Sequence, residues 1–366
     1  MKKLFAAILA SAMLVTLLAG CGGDQPKATG SNDPVQSQTS QPSGQPYKLT
    51  VALTQPAEAY AAKVVTEGCE KITAASEGRL QFEIHYSGTL VAITDVIPSL
   101  SDGFADIGFV PGNFGTDYFP ITSKLMSMPC MGFPSTEAAY NAYTTIRAEF
   151  PALDAEYEAH GIKNLGAYYM GRNDLYFNSA STSVKTPSDL KGLKIGVSSA
   201  FMTNYLKNIG ATPVFITNAD MYTSMDNGVV NGLVQHLALM NSTGTIDTVK
   251  SVTFIGDSGI LRDLGIFAMN LDRYNSLPED LQKLLSDGFV DICAETTVQD
   301  EIMRDRFLEK LESTGTVIVQ LTEEEAQTWL EAAEEIHQDV VAELEGLGLP
   351  AQAIYDRIAQ LNAGGN

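Results

Sequence analysis

From Tyr47 onward the chain alternates between two hydrophobic periods, and that alternation confines it to one broad architecture. "YKLTVAL" (47–53) and "RLQFEIHYS" (79–87) alternate polar and apolar side chains, the period of a strand. Between them "AEAYAAKVVTEGCEKITAAS" (57–76) places its apolar residues at helical spacing, and "AITDVIPSLSDG" (92–103) predicts a short helix ending at Gly103. "ADIGFV" (105–110) has the continuous apolar run of a buried strand. Strands that alternate with helices point to a parallel α/β sheet.

The pattern resumes after residue 160. "IKNLGAYYM" (162–170) and "DLYFNS" (174–179) predict two strands, and "SDLKGLKIGVSSA" (188–200) a strand running into a small-residue loop. Next come a helix at 201–209, a strand at 212–216, a helix at 218–228 with an Asn cap and a terminal Gly, and a strand at 265–274. The C-terminal third predicts helices. Ser276 and Pro278 open one, and Thr322 with Glu325 has capping-box spacing for a second. Trp329, Leu330, Ala333, Ile336, Val340 and Leu344 form the apolar face of that second helix.

The first residues predict an address. Lys2 and Lys3 precede the apolar run Leu4 to Leu18, followed by "LAGC" (18–21), which predicts a secretory signal peptide over 1–20. The cysteine after Leu-Ala-Gly resembles the bacterial lipobox, with Cys21 as the lipidated residue. Residues 21–46 then read as a flexible linker, since they hold almost no large apolar side chain to offset ordering entropy. The expected location is extracytoplasmic, on the bacterial cell membrane through that lipid. About 320 residues remain, more than one core usually holds, so two lobes are expected. With 23 basic against 44 acidic residues the formal charge is −21, which argues against nucleic acid as a partner.

Signals for chemistry are sparse. Cys69, Cys130 and Cys293 are widely spaced, consistent with buried free thiols or with one disulfide and a leftover thiol, and no metal-ligand spacing occurs. "GDSG" (256–259) superficially resembles a serine-protease nucleophile motif, but His85, His160 and His236 lack the expected contexts. Asp102, Asp106, Asp117 and Glu83 read as solvated charges. Neither a cofactor nor catalysis is expected.

One region carries a family likeness. "TPSDLKGLKIGV", "GATPVFI" and "ADMYTSMDNGVVNGLVQ" together resemble the solute-binding proteins of TRAP transporters, the dicarboxylate-binding DctP type. The matching positions are Asp189 to Ile195, then Gly210, Ala211 and Pro213, then Tyr222, Gly228, Val230 and Gly232, with Asn231 replacing an Asp. "LPEDLQKLL" (277–285) resembles the start of the family's long hinge-spanning helix.

The resemblance implies an α/β, two-lobed periplasmic-binding-protein-like fold of class II type, with a helical C-terminus. Lobe 1 is expected over 47–171 and 262–300, lobe 2 over 172–261, with 301–366 bracing both. It further implies a receptor that closes on a small, anionic solute and delivers it to TRAP membrane permease subunits. An ABC-importer or sensory lipoprotein and a secreted hydrolase are the rival readings. The family's carboxylate-clamping arginine falls on Gly196, which removes a charge and, on this reading, opens space. Arg172 approximates a second arginine position, the alternative being a surface ion pair with Asp174. Ser199, Gln235 and Tyr222 match other motif positions of lobe 2, with His236 beside them. Asn113, Phe114, Thr54 and Gln55 would face the cleft from lobe 1. The missing clamp leaves room for a non-dicarboxylate solute, even one whose amine meets Asp174.

Overall fold

A computed structural model describes residues 44–198 and 200–364. The leader, the Cys21 lipobox, the linker up to residue 43 and Ser199 lie outside them. Among the described residues no helix is long and apolar enough to cross a membrane.

The strands are β1 (Tyr47–Ala52), β2 (Leu80–His85), β3 (Ile107–Pro111), β4 (Ile162–Phe177), β5 (Lys194–Val197), β6 (Thr212–Phe215), β7 (Gly232–His236), β8 (Ser251–Phe254), β9 (Leu261–Asn270) and β10 (Val317–Gln320). They run in the order β2-β1-β3-β9-β4-β7-β5-β6, with β8 on β4 and β10 on β8. β1 pairs in parallel with β2 and β3, and β5 with β6 and β7, as the strand–helix alternation predicts. The antiparallel exceptions are β4 and β9, which the sequence does not mark as special. β4 pairs with β9 from Ile162 to Asn173, then with β7 and β8 through Phe177. The sheet therefore has two halves joined through one sixteen-residue strand, and the molecule is two-lobed.

The sequence reading cut β4 in two because "GRN" (171–173) separates its two apolar runs. In the structure these residues form a bulge. Gly171 sits at φ +40° and is the extra residue between the pairs Met170–Asp263 and Arg172–Arg262. A second departure lies near the C-terminus, where the single helix expected from Thr322 is two, Glu323–Glu331 and Glu334–Gly346. The capping box is present, with the Thr322 hydroxyl accepting from the Glu325 N–H. Strands β7, β8 and β10 and the helices Thr136–Glu149 and Ala152–Glu158 are found where no element was expected.

One core packs the helix Tyr60–Ala75 and the long helix Glu279–Ser313 on the first half-sheet. These helices meet closely at two glycines. A Cβ on Gly68 would lie 2.2 Å from Ile292 Cγ1, and one on Gly288 would lie 2.4 Å from Ile72 Cγ1. That approach carries Tyr60 to Asp300, whose carboxylate accepts its hydroxyl at 2.8 Å. The C-terminal helices attach to both halves. Trp329 Nε1 donates to Lys185 O, while His337 Nε2 meets Pro129 O and Asn362 donates to Met131 O. Cys69, Cys130 and Cys293 are buried free thiols, and burial pushes the first two up to about 12.

Candidate solute-binding cleft

A cleft of about 1390 Å³ runs between the strand ends of the two half-sheets. That exceeds the roughly 300–1,000 Å³ of an enclosed small-molecule pocket. Segments following β1 and β3 line it from one side. The ends of β5 and β7, the residues after β6, and one face of the long helix line the other parts. β4 and β9 form its floor.

The pleat decides what the floor presents. Paired antiparallel residues share a face, so Met170 with Asp263 and Asn173 with Leu261 point into the cleft. Arg172 and Arg262, paired with each other, point to the opposite face. Strict alternation through β4 would have put Arg172 on the same face as Met170. The Gly171 bulge reverses that and turns Asn173 inward instead.

Arg172 is thus not a cleft residue. Its Nε and Nη2 both donate at 2.7 Å to the two carboxylate oxygens of Asp174, and Nη1 donates to Asp257 O at 3.2 Å. The pair is buried, with 5% and 0% of the side chains exposed, so the ion pair exists but not at the surface. Asp174 also accepts from the Ile255 N–H and faces away from any solute in the cleft. Arg262 beside it donates to Thr136 Oγ1 and Asp257 O, and burial with the neighbouring Arg172 charge pulls it down to about 10. "GDSG" has a structural role here: its turn aims the Asp257 carbonyl at both arginines. The Ser258 hydroxyl donates to Gly259 O.

Gly196 is also withdrawn from the cleft. A Cβ there would lie 2.4 Å from Leu233 Cδ2 and 2.5 Å from Ile216 Cδ1. The expected open space is filled, because these two apolar side chains occupy it. Tyr222 is 41% exposed and is not among the cleft-lining residues.

The remaining expected residues do converge. Thr54, Gln55, Asn113 and Phe114 line the cleft from the first lobe, and Gln235 and His236 from the second. Gln55 Oε1 is buried and has no hydrogen-bond partner among the described residues. Gln235 reaches the cleft edge at its strand end but pairs with Asp174 and is 4% exposed, its Oε1 accepting from the His236 N–H and its Nε2 donating to Met221 Sδ. His236 Nδ1 accepts from the Leu239 N–H and so caps the helix Leu237–Ser242, and burial pulls its ring down to about 4. It is neutral at physiological pH.

Sequence reasoning missed Asp263, Asn173 and the long-helix residues Glu295, Gln299, Met303 and Arg306. Asp263 escaped because β9 was expected to begin at Gly265, while it begins at Leu261 and stops at Asn270, whose side chain caps the next helix. The available signal was an acid among the apolar residues of "LRDLGIFAM". Asp263 accepts from Asn173 Nδ2 at 3.0 Å, and burial pushes it up to about 6 against the lowering effect of that bond.

A carboxyl that keeps its proton to higher pH when folded stabilises the protein below the ordinary Asp range. That contribution is lost as pH rises through about 6. Asp263→Asn should therefore stabilise the solute-free protein at pH 7.5 by about 1–2 kcal/mol, allowing for partial exposure, and by little at pH 4. Glu156 and Asp300, raised to about 7 and 6, titrate in both forms and cancel in the comparison. Paired thermal melts across pH check this; an unchanged difference between pH 4 and 7.5 would refute it.

Two sheet halves sharing a crossing strand, a cleft at their strand ends and a 35-residue helix spanning one flank define a two-lobed solute-binding protein. The family model for bacterial extracellular solute-binding protein, family 7, named DctP, matches residues 53–344, and the chain belongs to this family. It is 23% identical over 216 residues to the ectoine-binding periplasmic protein TeaA of Halomonas elongata, covering 58% of this chain and 60% of that one. The C4-dicarboxylate-binding periplasmic protein DctP of Vibrio cholerae is 23% identical over 292 residues, 77% of this chain and 83% of that one. Among solved structures, a marine-metagenome TRAP solute-binding protein from an unidentified microbe, specific for aromatic acid ligands, superposes with a TM-score of 0.76. The two are 21% identical, over 87% of this chain and 99% of that one.

Proposed function

We propose that the chain is the extracytoplasmic receptor of a TRAP-type uptake system. It captures a small polar organic solute by closing its lobes and hands the solute to membrane permease subunits, itself held at the membrane by a lipid on Cys21. The observation that carries this reading is that polar residues of both lobes line one cleft, Gln55 and Asn113 from one and Gln235 and His236 from the other. Contacts from both lobes to one solute favour the closed state, and binding energy then shifts an open–closed equilibrium that a permease can sense.

The relatives' named ligands are a C4-dicarboxylate, aromatic acids and ectoine. In this cleft a carboxylate would meet amides and backbone N–H groups first. Among the described lining residues the cations are Lys63 and Arg306, both exposed. Arg172 has no place in the proposed site. The reading takes lobe boundaries near 171/172 and 261/262, and the change of β4's partners at Asn173 supports the first of them.

The test is uptake of a labelled solute by cells carrying the permease genes, with and without this chain. Uptake that depends on the chain is expected, and Cys21→Ser should shed the protein into the medium. Equal uptake in its absence would sink the transport role.

A further inference from the structure

The charge of the cleft runs opposite to what an anion receptor needs. Glu58, Glu67, Asp263 and Glu295 line it against Lys63 and Arg306. Five of these six are exposed helix or loop charges, which solvent screens. Asp263 differs. It stands on a sheet strand at the cleft floor, flanked on its own face by Leu261 and facing Met170 across the pair. The Asn173 amide N–H is its hydrogen-bond donor, and among the described residues no basic side chain forms an ion pair with it. The two arginines nearest in sequence and register are on the other face, one neutralised by Asp174 and both bonded to Asp257 O.

An ionised carboxylate with one neutral donor in partly apolar surroundings is undersatisfied, since it has about four acceptor positions. Its burial disfavours the charge, and the fold supplies no cation to offset that. A ligand does so at no cost to the rest of the molecule. Asn173 fixes the carboxylate through one oxygen and leaves the other for the cleft.

We propose that the solute carries a protonated nitrogen, an ammonium or amidinium, and that Asp263, oriented by Asn173, is the group that receives it. This rests on the receptor reading and narrows its solute class to amine-bearing or zwitterionic molecules. A zwitterion's acid end would lie toward the amides of Gln55 and Asn113. The net charge of −21 acts in the same direction by concentrating cations near the cleft.

The experiment offers the whole chain an equimolar set of matched pairs in equilibrium dialysis, with bound members identified by mass spectrometry. The pairs are phenylalanine with 3-phenylpropanoate and 4-aminobutyrate with butyrate, and the set also contains ectoine, succinate and glucuronate. Retention of nitrogen-bearing members over their deaminated partners is expected. Asp263→Asn should weaken their binding by about tenfold or more, the value of one charge-assisted hydrogen bond, while its melting temperature at pH 7.5 does not fall. Retention of succinate, glucuronate or the deaminated acids in preference to the amines overturns the proposal and leaves the receptor reading standing. Retention of no member counts against both. The comparison of matched pairs is made on the unsubstituted protein, so it holds whatever the variant's stability.

Discussion

Asp174→Asn is expected to destabilise the protein by about 3–5 kcal/mol, the cost of leaving a buried charge without its partner. The substitution keeps the shape of the side chain but removes the charge facing the Arg172 fork, which is held at 2.7 Å on both arms. Arg262 makes the loss worse, because its like charge pairs with Arg172 across β4 and β9. Urea unfolding should show a lowered midpoint with little change in slope. Arg172→Ala should fall in the same range, for the converse reason that Asp174 is then left alone. The double replacement Arg172→Met with Asp174→Leu should recover much of the loss, since an apolar pair of similar volume avoids desolvation altogether. If Arg172→Ala instead leaves stability untouched and weakens solute binding, the side chain belongs in the cleft and the placement given above is wrong.

The second large effect is expected at Gly196, where the family resemblance puts an arginine. Gly196→Arg should cost about 2–3 kcal/mol or more, as overpacking of a filled core does. The side chain would begin 2.4 Å from Leu233 Cδ2 and 2.5 Å from Ile216 Cδ1. Ile216 also lines the cleft, so removing its side chain opens a route from position 196 to the solute. Gly196→Arg combined with Ile216→Ala should regain most of the stability. It should also bind succinate at least about tenfold more tightly than the unsubstituted protein, through a bidentate guanidinium–carboxylate contact. Calorimetry of the two variants decides the matter. Equal succinate affinity in both would show that Ile216 does not stand between residue 196 and the cleft.

Much of the architecture was legible because period-2 and period-3.6 segments are strongly separated in the first half of the chain. Strands β1, β2, β3, β5 and β6 and the helices Tyr60–Ala75, Val96–Ser101 and Ala200–Asn208 fall where their side-chain spacing puts them. The legibility failed where tertiary pairing overrides local pattern. "GRN" (171–173) reads as a break between two strands, yet Arg172 and Asp174 satisfy each other inside and Asn173 bonds to Leu261 O and Asp263. "GLVQH" lies beyond the helix expected at 218–228 and carries no strand expectation of its own, but β4 and β5 recruit it as β7. The break between the last two apolar turns at Ala332–Ala333 has no marker in composition.

The binding surface was legible in a different proportion. Loop residues after β1 and β3, and Gln235 with His236, could be placed because strand ends of an open α/β sheet converge on one crevice. Asp263 could not, because its exposure to the cleft depends on where β9 begins and on how β4 is registered against it. Arg172 was misplaced for the same reason. No side-chain property distinguishes an arginine that meets a solute from one that meets Asp174; only the backbone path does.

That path has an evolutionary consequence. The bulge at Gly171 is a choice between two pairings of the same strand, and in the pairing without it Arg172 stands opposite Leu261, on the cleft face. The floor would then offer a guanidinium where it now offers an amide, with neither residue replaced. In a scaffold of this kind the sign of the charge a receptor attracts can be rewritten by a slip in register, and comparing residues column by column would not reveal it.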